Sequence, residues 1–211
     1  STEYNTAGLA YKTTDPASKE HRTEFDDLGR VTKTIQNYED GTVESGEPDK
    51  EVTVERVYNS DGLVTELKAQ NPTTGVQTTY YVYGTDKGGI TPAVYRNDLV
   101  RAEIYPDSDD TTSLGDGTDG VYDRVEFKYN RQGDRIEMKD QLTSVHTYDY
   151  DKLGRQTHDR VTTLANGVDG AVRRISTTFD IRGLREKITS YDEATVGSGN
   201  VVNEVLLEYN D

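Results

Sequence analysis

At 211 residues the chain is long enough for one large domain, two small ones or a repeat array in a single unit. Its 24 Lys and Arg against 39 Asp and Glu leave a formal charge of −15, which would repel a phosphate backbone, so nucleic acid and heparin-like polyanions are poor partners. The chain has no cysteine, which excludes disulfides and thiolate metal sites, and no apolar run long enough for a helical membrane span or a leader, so this segment is expected to be soluble and not to insert in a membrane.

Only 32% of residues are hydrophobic, and tyrosine supplies 15 of the aromatics against three phenylalanines. A thick Leu and Phe core is excluded by that composition, while abundant Thr, Val and Tyr favour strands. The expectation is a thin β structure with wet faces.

In chain order, the first element is a strand ending at Tyr4, with Asn5 next and Gly8 four residues after the aromatic. Residues 15–22 could hold a short turn of helix. The same phrase then returns as Phe25 with Gly29 and as Tyr58 with Gly62. A degenerate copy follows around Tyr83 and Gly84, with residues 97–106 as its partner strand. The full phrase resumes at Tyr129 with Gly133, Tyr150 with Gly154, and Phe179 with Gly183, and a last copy begins at Tyr209. Residues two and four before each aromatic share its strand face, as in Val125, Phe127 and Tyr129, which is the period of a strand.

The turn follows from local chemistry. An Asn or Asp side chain can accept from the backbone two residues on, and glycine takes positive φ at little cost. Each phrase is therefore read as a hairpin with a type I turn closed by a bulge. Anchor spacings of 21, 33, 71, 21, 29 and 30 residues put the variable length in return connections at 39–50, 84–97, 106–120, 164–171 and 193–200.

The phrase [Tyr/Phe]-[Asp/Asn]-x-x-Gly-[Arg/Leu] resembles the YD-repeat of the Rhs family, whose relatives include shell proteins of bacterial toxin complexes and teneurins. FDDLGRVTKTI, YDKLGRQTHDR and FDIRGLREKITSYD match best, and the resemblance runs from Tyr4 to Tyr209. It implies an all-β fold: an antiparallel sheet of tandem YD-type hairpins, curled as a section of a shell or solenoid, with residues 1–211 forming a single array. It also implies a bacterial secreted or cell-surface protein whose partners are the remaining repeats of a longer parent chain and an enclosed polypeptide. The repeats reach both ends, at Tyr4-Asn5 and Tyr209-Asn210-Asp211, so the chain is expected to be a fragment of that longer array. The family's Asp-Pro-x-Gly-Leu self-cleavage signature has no counterpart, since Asp15-Pro16 is followed by Ala-Ser, and no protease activity is carried over.

Catalytic chemistry finds little support. His21, His146 and His158 are scattered, with His146 read as a cross-strand packing partner and the other two as surface residues; Ser198 sits in a Gly-Ser-Gly loop. No nucleophile elbow, P-loop or zinc-protease motif occurs. The expected function is a non-catalytic structural wall module without a cofactor.

Two segments offer a different class of function. Asp107, Asp109, Asp110, Asp116 and Asp119, interrupted by Gly115, Gly117 and Gly120, offer the hard oxygen ligands that Ca²⁺ prefers, though a solvated loop is the first reading. Tyr81, Tyr83 and Tyr95 could stack on a cell-surface glycan, although tyrosines also pack cross-strand pairs in a sheet poor in Phe.

Overall fold

The structure is a computed structural model that describes residues 1–42, 47–84 and 95–210. Parts of the connections expected at 39–50 and 84–97, and Asp211 of the last repeat, lie outside the described residues.

The described chain is all β, without a helix, and none of it is a helix long and apolar enough to cross a membrane. Its strands are β1 (Thr2–Tyr4), β2 (Ala10–Thr14), β3 (Glu20–Phe25), β4 (Val31–Tyr38), β5 (Val52–Tyr58), β6 (Val64–Asn71), β7 (Gly75–Tyr83) and β8 (Val100–Ile104). They continue as β9 (Val125–Tyr129), β10 (Arg135–Lys139), β11 (Val145–Tyr150), β12 (Gln156–Thr163), β13 (Arg174–Phe179), β14 (Arg185–Tyr191) and β15 (Val201–Leu206). Spatial order equals chain order in one 15-stranded sheet, and its described pairings are antiparallel. Two compact units divide the chain: Ser1–Val82 with Ile104–Asp107, and Tyr83–Glu103 with Ser108–Asp211.

Six hairpins have the turn that the phrase predicts. Asn5, Asp26, Asn59, Asn130, Asp151 and Asp180 each accept on the backbone carbonyl from the N–H of the glycine three residues on, at 2.9 to 3.1 Å. Their side-chain Oδ1 accepts twice more, from the N–H two residues on and from the N–H four residues on, as in Leu153 at 2.9 Å and Arg155 at 3.0 Å on Asp151. Gly8, Gly29, Gly62, Gly133, Gly154 and Gly183 have φ between 77 and 94°, the left-handed region in which a side chain is penalised.

Three further turns use the same hydrogen bonds without glycine. Asp15, Thr111 and Asp140 begin them, and Ser18, Leu114 and Thr143 take the left-handed position at φ 62, 65 and 72°. The helical turn expected within 15–22 is thereby corrected. Asp15 N–H donates to Lys19 O at 3.0 Å, Lys19 N–H returns to Asp15 Oδ1 at 2.8 Å, and β3 has begun by Glu20.

A second irregularity was not foreseen. In all six glycine hairpins the ladder slips by one residue beside the aromatic: Phe25 pairs with Val31 while Glu24 pairs with Lys33, leaving Thr32 extra. Tyr11, Thr65, Ile136, Thr157 and Glu186 are the corresponding residues elsewhere. Such bulges increase local twist and let each turn re-enter the ladder with its face pattern intact.

The core is as thin as the composition requires. Among the described residues the buried hydrophobic side chains are Ile35, Ala102, Ile104, Tyr148 and Ala165. A β-branched residue at positive φ is the least favourable of the turn substitutions. Thr143→Gly is therefore expected to raise the stability of the chain by about 1 kcal/mol, and Gly154→Ala to lower it by about 1–2 kcal/mol. Urea unfolding midpoints check both, and a destabilised Thr143→Gly would refute the strain argument.

Candidate functional site

The residues that recur in the phrase do their work between repeats. Four of the anchor tyrosines, Tyr58, Tyr129, Tyr150 and Tyr209, reach back with the hydroxyl to a backbone carbonyl, whereas Tyr4 is exposed. Tyr58 donates to Val31 O at 2.7 Å, Tyr150 to Arg135 O at 2.8 Å, and Tyr209 to Arg185 O at 2.9 Å. In each case the acceptor is two residues after the glycine of the preceding hairpin. Tyr129 makes the equivalent bond to Val100 O at 2.6 Å. Phe25 and Phe179 hold the same position with no hydroxyl to donate.

The residue after the glycine adds a second tie. Arg30 Nε donates to Asp26 Oδ2 of its own turn at 2.6 Å, while its guanidinium lies 4.4 Å from the centre of the Tyr58 ring. Arg155 repeats this with Asp151 Oδ2 at 2.7 Å and the Phe179 ring at 4.2 Å. The carboxylate both caps the turn and aims the arginine at the next aromatic, so one Asp serves local geometry and long-range packing together.

The turn aspartates titrate accordingly. The Arg155 N–H, outweighing burial, holds the Asp151 carboxyl below its ordinary value, helped by the Arg155 guanidinium. At Asp26 burial pushes upward, but the N–H and guanidinium of Arg30 prevail and the net direction is down. Asp180 behaves likewise: burial raises it, and the Leu184 N–H and Arg182 together bring it down.

The aspartates considered for calcium are distributed differently from a coordination shell. Asp110 and Asp116 come together on one guanidinium: Arg124 Nη1 lies 2.8 Å from Asp110 Oδ2 and 2.8 Å from Asp116 Oδ1, and its Nε is 2.6 Å from Glu126. Asp110 has a fully buried side chain and Arg124 is 7% exposed. Asp109 is bonded to Thr118, and Asp119 caps Val121 N–H at 2.7 Å; Asp107 is exposed and stands outside these bonds. Among the described residues no three His, Cys, Asp or Glu side chains are grouped to hold a metal.

A second arginine organises the loop that contains Ser198. Arg174, 3% exposed, donates to Glu193 O at 3.0 Å, Ser198 O at 2.9 Å and Thr195 O, and stacks 3.9 Å from the Tyr191 ring centre. Tyr81 and Tyr83 are half-buried on β7, whereas Tyr95 is 78% exposed.

The histidines are more enclosed than expected. His146 Nδ1 is 2.7 Å from Asp159 Oδ1, and its ring stacks on Tyr148. His158, expected at the surface, is half-buried with Nδ1 2.9 Å from Ser176 Oγ, and burial lowers its pKa. His21 is half-buried as well, with Nδ1 facing Asn37 N–H at 3.4 Å. A shallow cleft of about 250 Å³ is lined by Asp159, His158, Ile175, Thr177, Arg185 and Ile188, among others. Alternation along β12 sends the His158 ring and the Asp159 carboxylate to opposite faces, so they do not act on one atom.

No family model matches the chain, and no curated protein matches its sequence. Among solved structures it is similar to part of a Photorhabdus luminescens Tc holotoxin pore, at 12% identity over 96% of this chain with a TM-score of 0.38. It is also similar to part of a TcdB2-TccC3 crystal structure without the hypervariable C-terminal region, at 13% identity over 99% with a TM-score of 0.43. The chain spans 12% of the length of each.

Removing the hydroxyl in Tyr58→Phe is expected to cost about 1 kcal/mol, and supplying one in Phe179→Tyr to add a similar amount. Equal unfolding midpoints for Tyr58→Phe and wild type would show that the tie contributes nothing. Because Asp26, Asp151 and Asp180 have folded-state values below the unfolded ones, their contribution is complete above roughly pH 4 and is lost as pH falls through the folded values. Asp151→Asn keeps the cap, as Asn5 and Asn59 do, and should flatten the acid limb of a stability profile between pH 7 and 3.

Proposed function

We propose that the chain is a non-catalytic structural wall module: a run of β-hairpins whose function is to build and hold a continuous sheet. The observation that carries this reading is the repeat-to-repeat bond from Tyr58, Tyr150 and Tyr209 to the carbonyl after the preceding turn. A catalytic site places its special groups together in a cleft. Here the recurring groups are spread along the hairpins at the same station in each, and they are spent on joining one hairpin to the next.

Under this reading the chain acts as a section of a larger bacterial secreted or surface protein, and its partners are neighbouring repeats and a polypeptide held against the sheet. The YD-type phrase supports that assignment. Neither role calls for a cofactor, since shape and hydrogen bonding do the work.

A second reading, an adhesive module for glycans, draws on Tyr95, which presents its ring to solvent at 78% exposure. A glycan-array screen of the folded chain separates the two, with Tyr81→Ala, Tyr83→Ala and Tyr95→Ala as controls. The wall reading expects no specific glycan signal. Binding that disappears in those variants would replace it with adhesion.

A further inference from the structure

The formal charge of −15 is not shared evenly along the chain. In each glycine hairpin the Asx residue and the glycine fix the backbone, and the two residues between them are exposed. In the hairpins β1–β2, β3–β4 and β5–β6 these are Thr6 with Ala7, Asp27 with Leu28, and Ser60 with Asp61, none of them cationic. In β9–β10, β11–β12 and β13–β14 they are Arg131 with Gln132, Lys152 with Leu153, and Ile181 with Arg182. Every turn of this second set carries a cation, and two of them place an apolar side chain beside it. Leu153 is 78% exposed and Ile181 fully so.

These three turns share one end of the second unit, because its consecutive strands are antiparallel and its odd-numbered strands therefore run the same way. Neighbouring turns are two strands apart, about 10 Å. Asp151 and Asp180 are paired with Arg155 and Arg182, Asp134 accepts from Asn130 Nδ2 at 2.9 Å, and Glu186 is set back on β14. Arg131 and Lys152 are exposed and have no carboxylate partner among the described residues. The acids of the other connections, such as Asp116, Asp169, Asp192 and Glu193, lie at the opposite ends of the strands, about 17–26 Å away. Charge is screened over about 8 Å at physiological salt, so the cationic end acts separately from them.

We propose that this end of the second unit docks on an anionic lipid surface, with Leu153 and Ile181 entering the headgroup layer and Arg131, Lys152 and Arg182 meeting lipid phosphates. Charge complementarity selects an anionic partner, and the protruding tips select a lipid one. A protein holds an exposed isoleucine in a matching pocket, whereas the boundary between headgroups and acyl chains accepts separate apolar side chains without one. A Lys or Arg beside each apolar tip keeps its charge at the phosphates while its stem follows the apolar side chain inward. Both are held in place beforehand, since Asp151 Oδ1 accepts from Leu153 N–H and Asp180 Oδ1 from Arg182 N–H. No strand has to leave the sheet, so the contact is with the surface and not across the bilayer.

Cosedimentation of the whole chain with vesicles tests the contact. Binding is expected on phosphatidylcholine mixed with phosphatidylserine, should weaken as NaCl is raised, and should be absent on phosphatidylcholine alone. Leu153→Ser combined with Ile181→Ser should weaken it about ten-fold, and Arg131→Gln combined with Lys152→Gln about five-fold for each cation removed. Leu28→Ser, at the same station in the other unit but beside Asp27, should change nothing. No binding by the wild type, equal binding to both vesicles, unchanged binding after loss of Leu153 and Ile181, or an equal loss in Leu28→Ser overturns the proposal. So does self-association that replaces vesicle binding and disappears without Arg131 and Lys152, which would assign this end to the acidic connections of a second copy. Should the variant without Leu153 and Ile181 fail to fold, the cation pair decides, and unchanged vesicle binding in it overturns the proposal.

Discussion

The turn carboxamide or carboxylate is the constraint on which the rest of the structure depends. One oxygen accepts two backbone N–H groups, and the backbone carbonyl of the same residue accepts a third, so a single side chain defines the path of five residues. That path decides how the second strand returns against the first. A return one residue out would send every side chain to the other face of the sheet. The bulge beside the aromatic is the complement of the turn: it takes up one residue, at the same station in each of the six hairpins, so that the pairing beyond it resumes in a constant register. Only with the register constant can a tyrosine ring meet the carbonyl of the hairpin before it.

With five buried hydrophobic side chains among the described residues, apolar burial alone is a small driving force for a chain this long. The structure makes up the difference with the planar faces of arginines. Arg30 and Arg155 are packed on rings, and Arg124 and Arg174 are the centres of loops that a larger protein would fill with Leu or Phe. A guanidinium is suited to this, since it offers several donors in one plane and is more weakly hydrated than an ammonium. Its burial also makes the loops specific. Asp110 loses its compensating charge if Arg124 is removed, and a buried carboxylate without its partner is costly.

The hairpins with glycine were legible in the sequence because two independent signals, the Asx side chain and a residue free to take positive φ, coincide three residues apart. Where one signal is missing the turn is invisible although the backbone is the same: Ser18, Leu114 and Thr143 carry the left-handed conformation against their own preference, and a hairpin turn stands at Asp15–Ser18 where the sequence allows a short turn of helix. The ties were not legible either. Tyr and Phe are equivalent in a pattern of apolar alternation, and the phenolic hydroxyl acquires meaning only when the bulged register brings Val31 O or Arg135 O within reach. The aspartates from Asp107 to Asp119 stand out in the sequence as candidate ligands, but the residue that organises Asp110 and Asp116, Arg124, lies just beyond them and belongs to the next strand's approach. Spacing along a chain does not show which distant cation a carboxylate will face.

The charge of −15, read from the sequence as an exclusion of polyanionic partners, has its own structural cause. On the strands, cations and anions are matched across the ladder, as in Lys12 with Glu3 and Glu20, Lys33 with Glu55, and Lys187 with Glu204. The turns follow a different rule, because a cap needs an acceptor and Asp supplies one whether or not a cation is near. Asparagine would serve equally for geometry, and Asn5, Asn59 and Asn130 do so. At Asp26 and Asp151 an arginine follows the glycine and the charge aims its guanidinium at the next ring, while Asp180, with Leu184 after its glycine, holds Arg182 within the turn. Negative charge in this protein is therefore in part a by-product of building turns and in part a means of directing arginines from one hairpin to the next.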